Sequence, residues 1–219
     1  MSRRWKAVLF DLDGTLVDTL SDISRCLNGA MKAQGLPEHS EAVYERIIGG
    51  GIRRELQGFV PMEQLDAVMD SYTELYEQNC AVLSQPYPGA ERCLAALAGA
   101  GIRLGVITNK RDVNAKRMIP HYFPKIPMEI VWGRSAERAM KPDPASGREA
   151  CNILGLMPEQ VLFVGDVPET DIRFARNVGF GCAGASWGYR SKEVLSREQP
   201  DFLADSFDEL CDWILGGNI

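Results

Sequence analysis

The sequence predicts an α/β fold: a doubly wound, parallel, Rossmann-like sheet with a small all-helical domain inserted after the first strand. Three observations carry this expectation: recurring short apolar runs that close on polar or small residues, helical patterns between them ended by glycine, and one long stretch that is helical without a strand. The runs are Ala7–Phe10, 104–107, 129–132 and 161–164, with a weaker one at 180–185. Several are almost continuously apolar, as strands buried on both faces of a parallel sheet must be. Helical patterns cover 89–100, 112–118, Ala145–Leu154 and 171–178, and Gly101, Gly155 and Gly179 stand where helices stop. Strand–helix alternation of this kind builds right-handed βαβ units.

Residues 19–83 break the alternation. They are rich in Glu, Arg, Leu and Met, and "QPYPG" at 85–89 marks the exit. The expected division is therefore a core of residues 1–17 and 86–219 with a helical insert of residues 18–85. Internal repeats and low-complexity tracts are absent from the sequence.

The chain has 219 residues, 45% hydrophobic and 25% charged, enough to bury a sizeable core. A net charge of −6 argues against nucleic acid as the main partner and requires that an anionic ligand be held by local positive charge. The six cysteines are scattered with no C-x-x-C pair, so they read as reduced and buried rather than zinc-binding or bridged. The basic start, Met1 to Lys6, precedes an apolar run too short for a signal peptide, and no stretch has the apolar length to span a membrane. The expectation is a cytoplasmic monomer or homodimer acting on a small molecule.

The chemistry gathers where the apolar runs end. The first run ends in Asp11, with Asp13 two residues on, in "DLDGT". The run 104–107 leads into Thr108, Asn109 and Lys110, Lys141 lies in "MKPDP", and 161–164 leads into Asp166, with Asp171 shortly after. Ligands bind at the carboxyl ends of strands in such sheets. Alternation of side chains along an extended chain would set Asp11 and Asp13 on one side, where close carboxylates repel. Four clustered carboxylates need cations, and Mg²⁺ prefers such oxygens, so a metal and a lysine are expected to neutralise them. In the insert, Gly50 and Gly51 of "IGGGIRREL" would let backbone N–H groups approach an anion, and Arg53 would supply positive charge. Arg54 points elsewhere, His39 and His121 are loop residues, Lys110 is a surface lysine or a substrate contact, and Met62, Leu65, Met69, Tyr72 and Tyr76 pack the insert.

"DLDGT", "VITN", "KPDP" and "GDVPETD", in that order, resemble the four motifs of the haloacid dehalogenase superfamily of aspartate-nucleophile phosphatases. The resemblance spans nearly the whole chain. The helical insert resembles that superfamily's small cap domain, while "TNK", "KPDP" and "SWGYRSKEVL" look most like its phosphoglycolate phosphatase branch. Asp166 and Asp171 match the longer spacing of the fourth motif, with Val167 in place of a common Ser or Thr.

The resemblance implies roles. Asp11 is the nucleophile and becomes an aspartyl-phosphate. Asp13 is the general acid and then the base. Asp11, Asp166 and the backbone carbonyl of Asp13 hold Mg²⁺, with Asp171 one layer behind. Thr108 and Lys141 bind the phosphoryl group, Lys141 also orients Asp11, and Gly14 and Asn109 lie beside the substrate. The implied reaction is hydrolysis of a small anionic phosphate ester, 2-phosphoglycolate first, with a pyrophosphatase, a sugar phosphatase or a β-phosphoglucomutase as the nearest alternatives. Asp13 argues against a dehalogenase, which needs no acid for a halide. A receiver-like phospho-switch or a silent binding protein would explain neither Asp13 nor the intact set of acids.

Overall fold

The computed structural model describes residues 5–216. Four residues of the basic N-terminal stretch, 1–4, and the last three residues of the expected core, 217–219, lie outside them. Six parallel strands form the main sheet in the order β5-β4-β1-β6-β7-β8: β1 (Ala7–Phe10), β4 (Arg103–Arg111), β5 (Met128–Arg134), β6 (Val161–Gly165), β7 (Gly181–Ala185) and β8 (Phe202–Ala204). β1 is central, in register with β4 on one side (Ala7↔Arg103) and β6 on the other (Ala7↔Val161). Its alternate residues feed two separate cores, which is why the run has no polar position. Val8 and Phe10 join one cluster with Leu104, Val106, Leu162 and Val164, while Ala7 and Leu9 join the other with Ile107, Val161 and Phe163.

The first cluster is closed by α5 (Ala90–Gly99), α6 (Asp112–Tyr122) and α10 (Phe207–Leu215), and the second by α7 (Ala145–Leu154), α8 (Arg173–Val178) and α9 (Lys192–Arg197). Gly155 and Gly179 end α7 and α8 in the left-handed conformation, as expected.

Between β1 and α5 the chain forms α1 (Leu20–Ala33), α2 (Glu41–Glu45), α3 (Ile52–Leu56) and α4 (Met62–Asn79), with no strand among them. Two short strands, β2 (Val17–Asp18) and β3 (Gln85–Pro86), pair antiparallel where the chain enters and leaves this insert. Asp22, near the start of α1, is fully buried, and its Oδ2 accepts from the N–H groups of Val82, Leu83 and Ser84, each at 2.9 Å, and from Ser84 Oγ at 2.7 Å. One carboxylate thus fastens the two crossings together. All six cysteines are buried and free. Among the described residues no helix is long and apolar enough to cross a membrane.

Several expectations change. β4 continues past Ile107 to Arg111, because its pairing with β5 shifts register and resumes at Arg111↔Arg134. Pro120 does not end the second expected helix, 112–118. Its missing N–H falls in the final turn, and the helix runs on to Tyr122, which puts His121 in α6 rather than a loop. The helix expected at 171–178 starts earlier, with a wide turn at Pro168–Ile172 leading into α8.

Candidate active site

The site lies at the carboxyl ends of β1, β4, β5 and β6, under the insert. Asp11 continues the ladder beyond β1, its N–H donating to Val164 O at 2.9 Å. The chain then turns sharply, with the N–H groups of Thr15, Leu16 and Val17 all directed at Leu12 O. Gly14 holds φ +79° there, and a Cβ on it would lie 2.4 Å from Asp166 Oδ2. Gly14 therefore packs beside Asp166 and does not line the cavity.

Asp11, Asp166 and Asp171 converge, each offering an oxygen within 4.8 Å of the others, and all three are buried. Lys141, also buried, places Nζ 2.7 Å from Asp171 Oδ1 and 3.0 Å from Asp11 Oδ1. Burial pushes the Asp11 carboxyl up to about 6, against the pull of Lys141 and with a further push from Asp171. Burial, then Asp171 and Asp11, hold Asp166 well above the usual carboxylate range. Burial alone would lower the Lys141 ammonium, but Asp11 and Asp171 outweigh it and hold it above its ordinary value. One ammonium cannot neutralise three carboxylates in a dry site. Asp11 Oδ1 takes no well-aligned hydrogen bond despite its burial. A hard cation suits this all-oxygen set, so the residues fit a divalent metal.

Asp166 is held from behind by Thr15 Oγ1 (2.8 Å to Oδ1) and by the Tyr189 N–H (2.9 Å to Oδ2). Asp171 has both oxygens engaged: Oδ1 by Lys141, Oδ2 by the Val167 N–H at 2.9 Å. The wide turn at 168–172 absorbs the extra residue between the two acids and lets Asp171 fold back onto the start of its own loop.

Asp13 takes a different direction. Its Oδ1 accepts from Thr19 Oγ1 and from Lys110 Nζ, each at 2.7 Å, and Lys110 Nζ also donates to Tyr76 OH at 2.7 Å. The two aspartates line one cavity, and Asp13 repels the Asp11 carboxyl, though less than Asp171 does. β1 has ended before them, and Asp13 is the last of the groups acting on Asp11.

The register shift in β4 sets the orientation of Thr108, Asn109 and Lys110, as bulges beside active sites often do. Thr108 is buried, and its hydroxyl pulls the Asp11 carboxyl down. Asn109 is a brace: its Nδ2 donates to Gly49 O and Lys141 O, both at 3.1 Å, and its Oδ1 accepts from Lys141 N at 2.7 Å.

The cavity between core and insert measures about 70 Å³ and is walled on the insert side by Ile23, Ile48, Gly49, Gly51, Ile52, Met69, Tyr72, Thr73 and Tyr76. Gly51 lines it and Gly50 does not. Arg53 lies outside, exposed and paired with Asp66. Arg54 points away onto Glu55, as expected. Met69, Tyr72 and Tyr76 pack the insert as expected and also face the cavity, whereas Met62 is exposed.

Thr15, Thr19, Tyr189 and Arg190 are the participants that sequence reasoning did not single out, and Lys110, read there as a surface lysine or a substrate contact, is buried and lines the cavity. Tyr189 OH accepts from Thr19 N at 2.8 Å, so one residue touches both Asp166 and the entry to the insert. Arg190 donates to the backbone carbonyls of Glu45, Arg46 and Ile48, each at 3.0 Å, and so grips the loop that carries the glycines.

With that geometry in hand, residues 8–185 match the family model of the haloacid dehalogenase-like hydrolases. The chain is 32% identical to the phosphoglycolate phosphatase of Aquifex aeolicus, over 90% of this chain and 91% of that one. It is 34% identical to the N-acetylmuramic acid 6-phosphate phosphatase of Pseudomonas aeruginosa, over 95% and 94%. A crystal structure from Lactobacillus delbrueckii subsp. bulgaricus shares the fold with a TM-score of 0.90 at 22% identity, covering 97% of this chain and 99% of that one. The strand-end acids and lysine, the helical insert and these matches agree: the chain belongs to the haloacid dehalogenase-like hydrolases.

Proposed function

We propose that the protein is a Mg²⁺-dependent phosphomonoesterase of the cytoplasm that works through an aspartyl-phosphate on a small anionic ester, with 2-phosphoglycolate the first candidate. In this reading residues 18–85 act as a cap over a core of residues 1–17 and 86–219. The observation that carries the reading is the division of labour between two carboxylates on one cavity. Asp11 is buried beside Lys141 with Oδ1 free of a well-aligned hydrogen bond, and Asp13 is held apart by Thr19 and Lys110.

In the first step an Asp11 oxygen forms a bond to phosphorus while the ester P–O bond breaks. Asp13 gives its proton to the leaving oxygen. In the second step water attacks phosphorus, Asp13 takes the proton, and the bond from phosphorus to Asp11 breaks. Thr108 and Lys141 stabilise the transferring oxygens, and Lys141 keeps Asp11 aimed. Asp11, Asp166 and the Asp13 carbonyl would hold Mg²⁺, which supplies charge neutralisation for the phosphoryl oxygens. A cavity of about 70 Å³ is small beside the roughly 300–1,000 Å³ of sites for drug-sized ligands, which favours a compact ester over a sugar phosphate.

The test is turnover of a panel of phosphate esters, including 2-phosphoglycolate, pyrophosphate and an amino-sugar 6-phosphate, with Mg²⁺ and with EDTA. Mg²⁺-dependent turnover with 2-phosphoglycolate foremost is expected; no turnover of any ester overturns the reading.

A further inference from the structure

An anionic ester brings a second negative group besides its phosphate, and the insert offers no cation to receive it, since Arg53 is outside the cavity. The basic side chains on the cavity wall are instead Lys110, Arg111 and Arg134, from the ends of β4 and β5, with Lys141 behind Asp11. Three of these four are committed. Lys141 serves Asp11 and Asp171, Lys110 serves Asp13 and Tyr76, and Arg111 pairs with Glu77 of α4.

Arg134 is different. Among the described residues no carboxylate lies within ion-pair distance of it and no hydrogen bond satisfies its guanidinium. Its neighbours add no counter-charge. Burial of part of the side chain and the adjacent Arg111 cation both push its pKa below the ordinary guanidinium value, with only Tyr72 opposing. It stands at the mouth, lining both the cavity and an outer groove formed with Arg111, Asp112, Val113, Ser135 and Ala136. Asp112 in that groove is already engaged by Lys116 at 2.7 Å and by the Gly133 N–H at 3.0 Å. Arg134 is exposed at the cavity mouth, solvated by water and without a protein partner, beside a second guanidinium, so it is open to an anion that enters the cavity. Its planar fork matches a carboxylate.

We propose that Arg134, backed by the Arg111 cation, is the specificity residue that receives the substrate's carboxylate, so that acid recognition comes from the β5 end of the core and not from the insert. This rests on the phosphomonoesterase reading and adds to it the residue that selects an acid-bearing ester.

The test compares 2-phosphoglycolate with ethyl phosphate, which has the same carbon count and no acid, in wild type, Arg134→Gln and Arg134→Lys, with Mg²⁺ supplied. The wild type should prefer 2-phosphoglycolate. In Arg134→Gln the ratio of the two kcat/KM values should fall by about 10- to 100-fold, the worth of one charge-assisted interaction. The change should lie in KM for the acid, and Arg134→Lys should keep part of the preference. A wild type that prefers the acid together with an Arg134→Gln that keeps that preference overturns this assignment alone. A wild type that turns over both esters without preference overturns the acid-ester reading and this assignment with it, while leaving the phosphatase reading standing.

Discussion

Replacing Asp22 tests whether one buried carboxylate fastens together the two ends of the insert, where the chain enters it and leaves it. Its Oδ2 collects four donors, from Val82, Leu83 and both polar groups of Ser84, and Arg25 lies 3.0 Å from Oδ1. Val82 and Leu83 are exposed, so water can replace the carboxylate for them, but Ser84 is 2% exposed and its N–H and hydroxyl would be stranded. Each stranded buried group costs about 1–3 kcal/mol. Asp22→Ala should therefore lose about 3–5 kcal/mol, or roughly 6–20 °C in Tm for a chain of this size. Asp22→Asn keeps one acceptor and should lose less.

The pH dependence separates charge from shape. Burial pushes the Asp22 carboxyl up, but the bonds from Ser84, Leu83 and Arg25 outweigh it and hold it below the usual range. A depressed folded value means the contribution is fully present above the unfolded value of about 3.9 and is lost as pH falls through the lower folded one. The stability gap between wild type and Asp22→Asn, measured by urea unfolding, should be constant from pH 7 to pH 5 and close below about pH 4. A gap that does not change with pH, or an Asp22→Ala loss under about 1 kcal/mol, would refute the fastening.

Other outcomes follow from the same geometry. Asp166→Asn should weaken Mg²⁺ binding by roughly 100-fold or more in calorimetric titration, yet match or exceed the wild-type Tm in EDTA, because it removes one of three repelling carboxylates; a sharply lower apo Tm would contradict this. Asp11→Asn should form no phosphoenzyme, while Asp13→Asn treated with p-nitrophenyl phosphate should accumulate one phosphoryl group on Asp11 by intact-protein mass spectrometry. Steady-state rates on alkyl esters in Asp13→Asn should fall by about 10²- to 10⁴-fold, and unimpaired turnover would remove Asp13 from the proton shuttle. Arg53→Ala should change kcat/KM for 2-phosphoglycolate by less than about twofold, since an exposed ion pair to Asp66 is all it loses; a larger loss would bring Arg53 back to the site.

The sheet was legible because its strands are buried twice over. Val8 and Phe10 serve one core and Ala7 and Leu9 the other, so polar residues appear only where the strand stops, and the stops are where Asp11 and Asp166 stand. Short outer elements gave weaker signals. β8 has three residues, and α10 was not read from the sequence although Ser206 Oγ accepts from the Glu209 N–H at its start. Lys110 was harder to read. No local pattern distinguishes an inward lysine from a solvated one, and here the register shift of β4 decides it. Arg53 was misleading for a related reason: α3 is only five residues long, and its phase after Gly51 turns Arg53 to Asp66 and Ile52 to the cavity. Arg190 resisted reading because its partners are backbone carbonyls more than 140 residues away, and a carbonyl leaves no trace in the sequence.

The asymmetry of the two aspartates has a structural cause that goes beyond their own loop. Every side chain that fixes Asp11 belongs to the core: Thr108 on β4, Lys141 ahead of α7, and Asp171 in the turn before α8. The partners of Asp13 reach into the insert. Thr19 stands at the start of α1, and Lys110 is held by Tyr76 of α4, whose ring stacks on Tyr72. Displacing α4 would take Tyr76 from Lys110 and loosen the grip on Asp13, while Asp11 and the acids around it kept their geometry. In the proposed mechanism the proton-transfer group is thus completed by the insert, while the proposed nucleophile and metal ligands are complete without it. With Arg190 and Asn109 gripping the glycine loop and Arg111 gripping Glu77, three core side chains hold the insert in the arrangement that completes Asp13. In that mechanism an ester admitted before those contacts form would meet Asp11 without Asp13 in place, which would tie proton transfer to closure of the insert over the substrate.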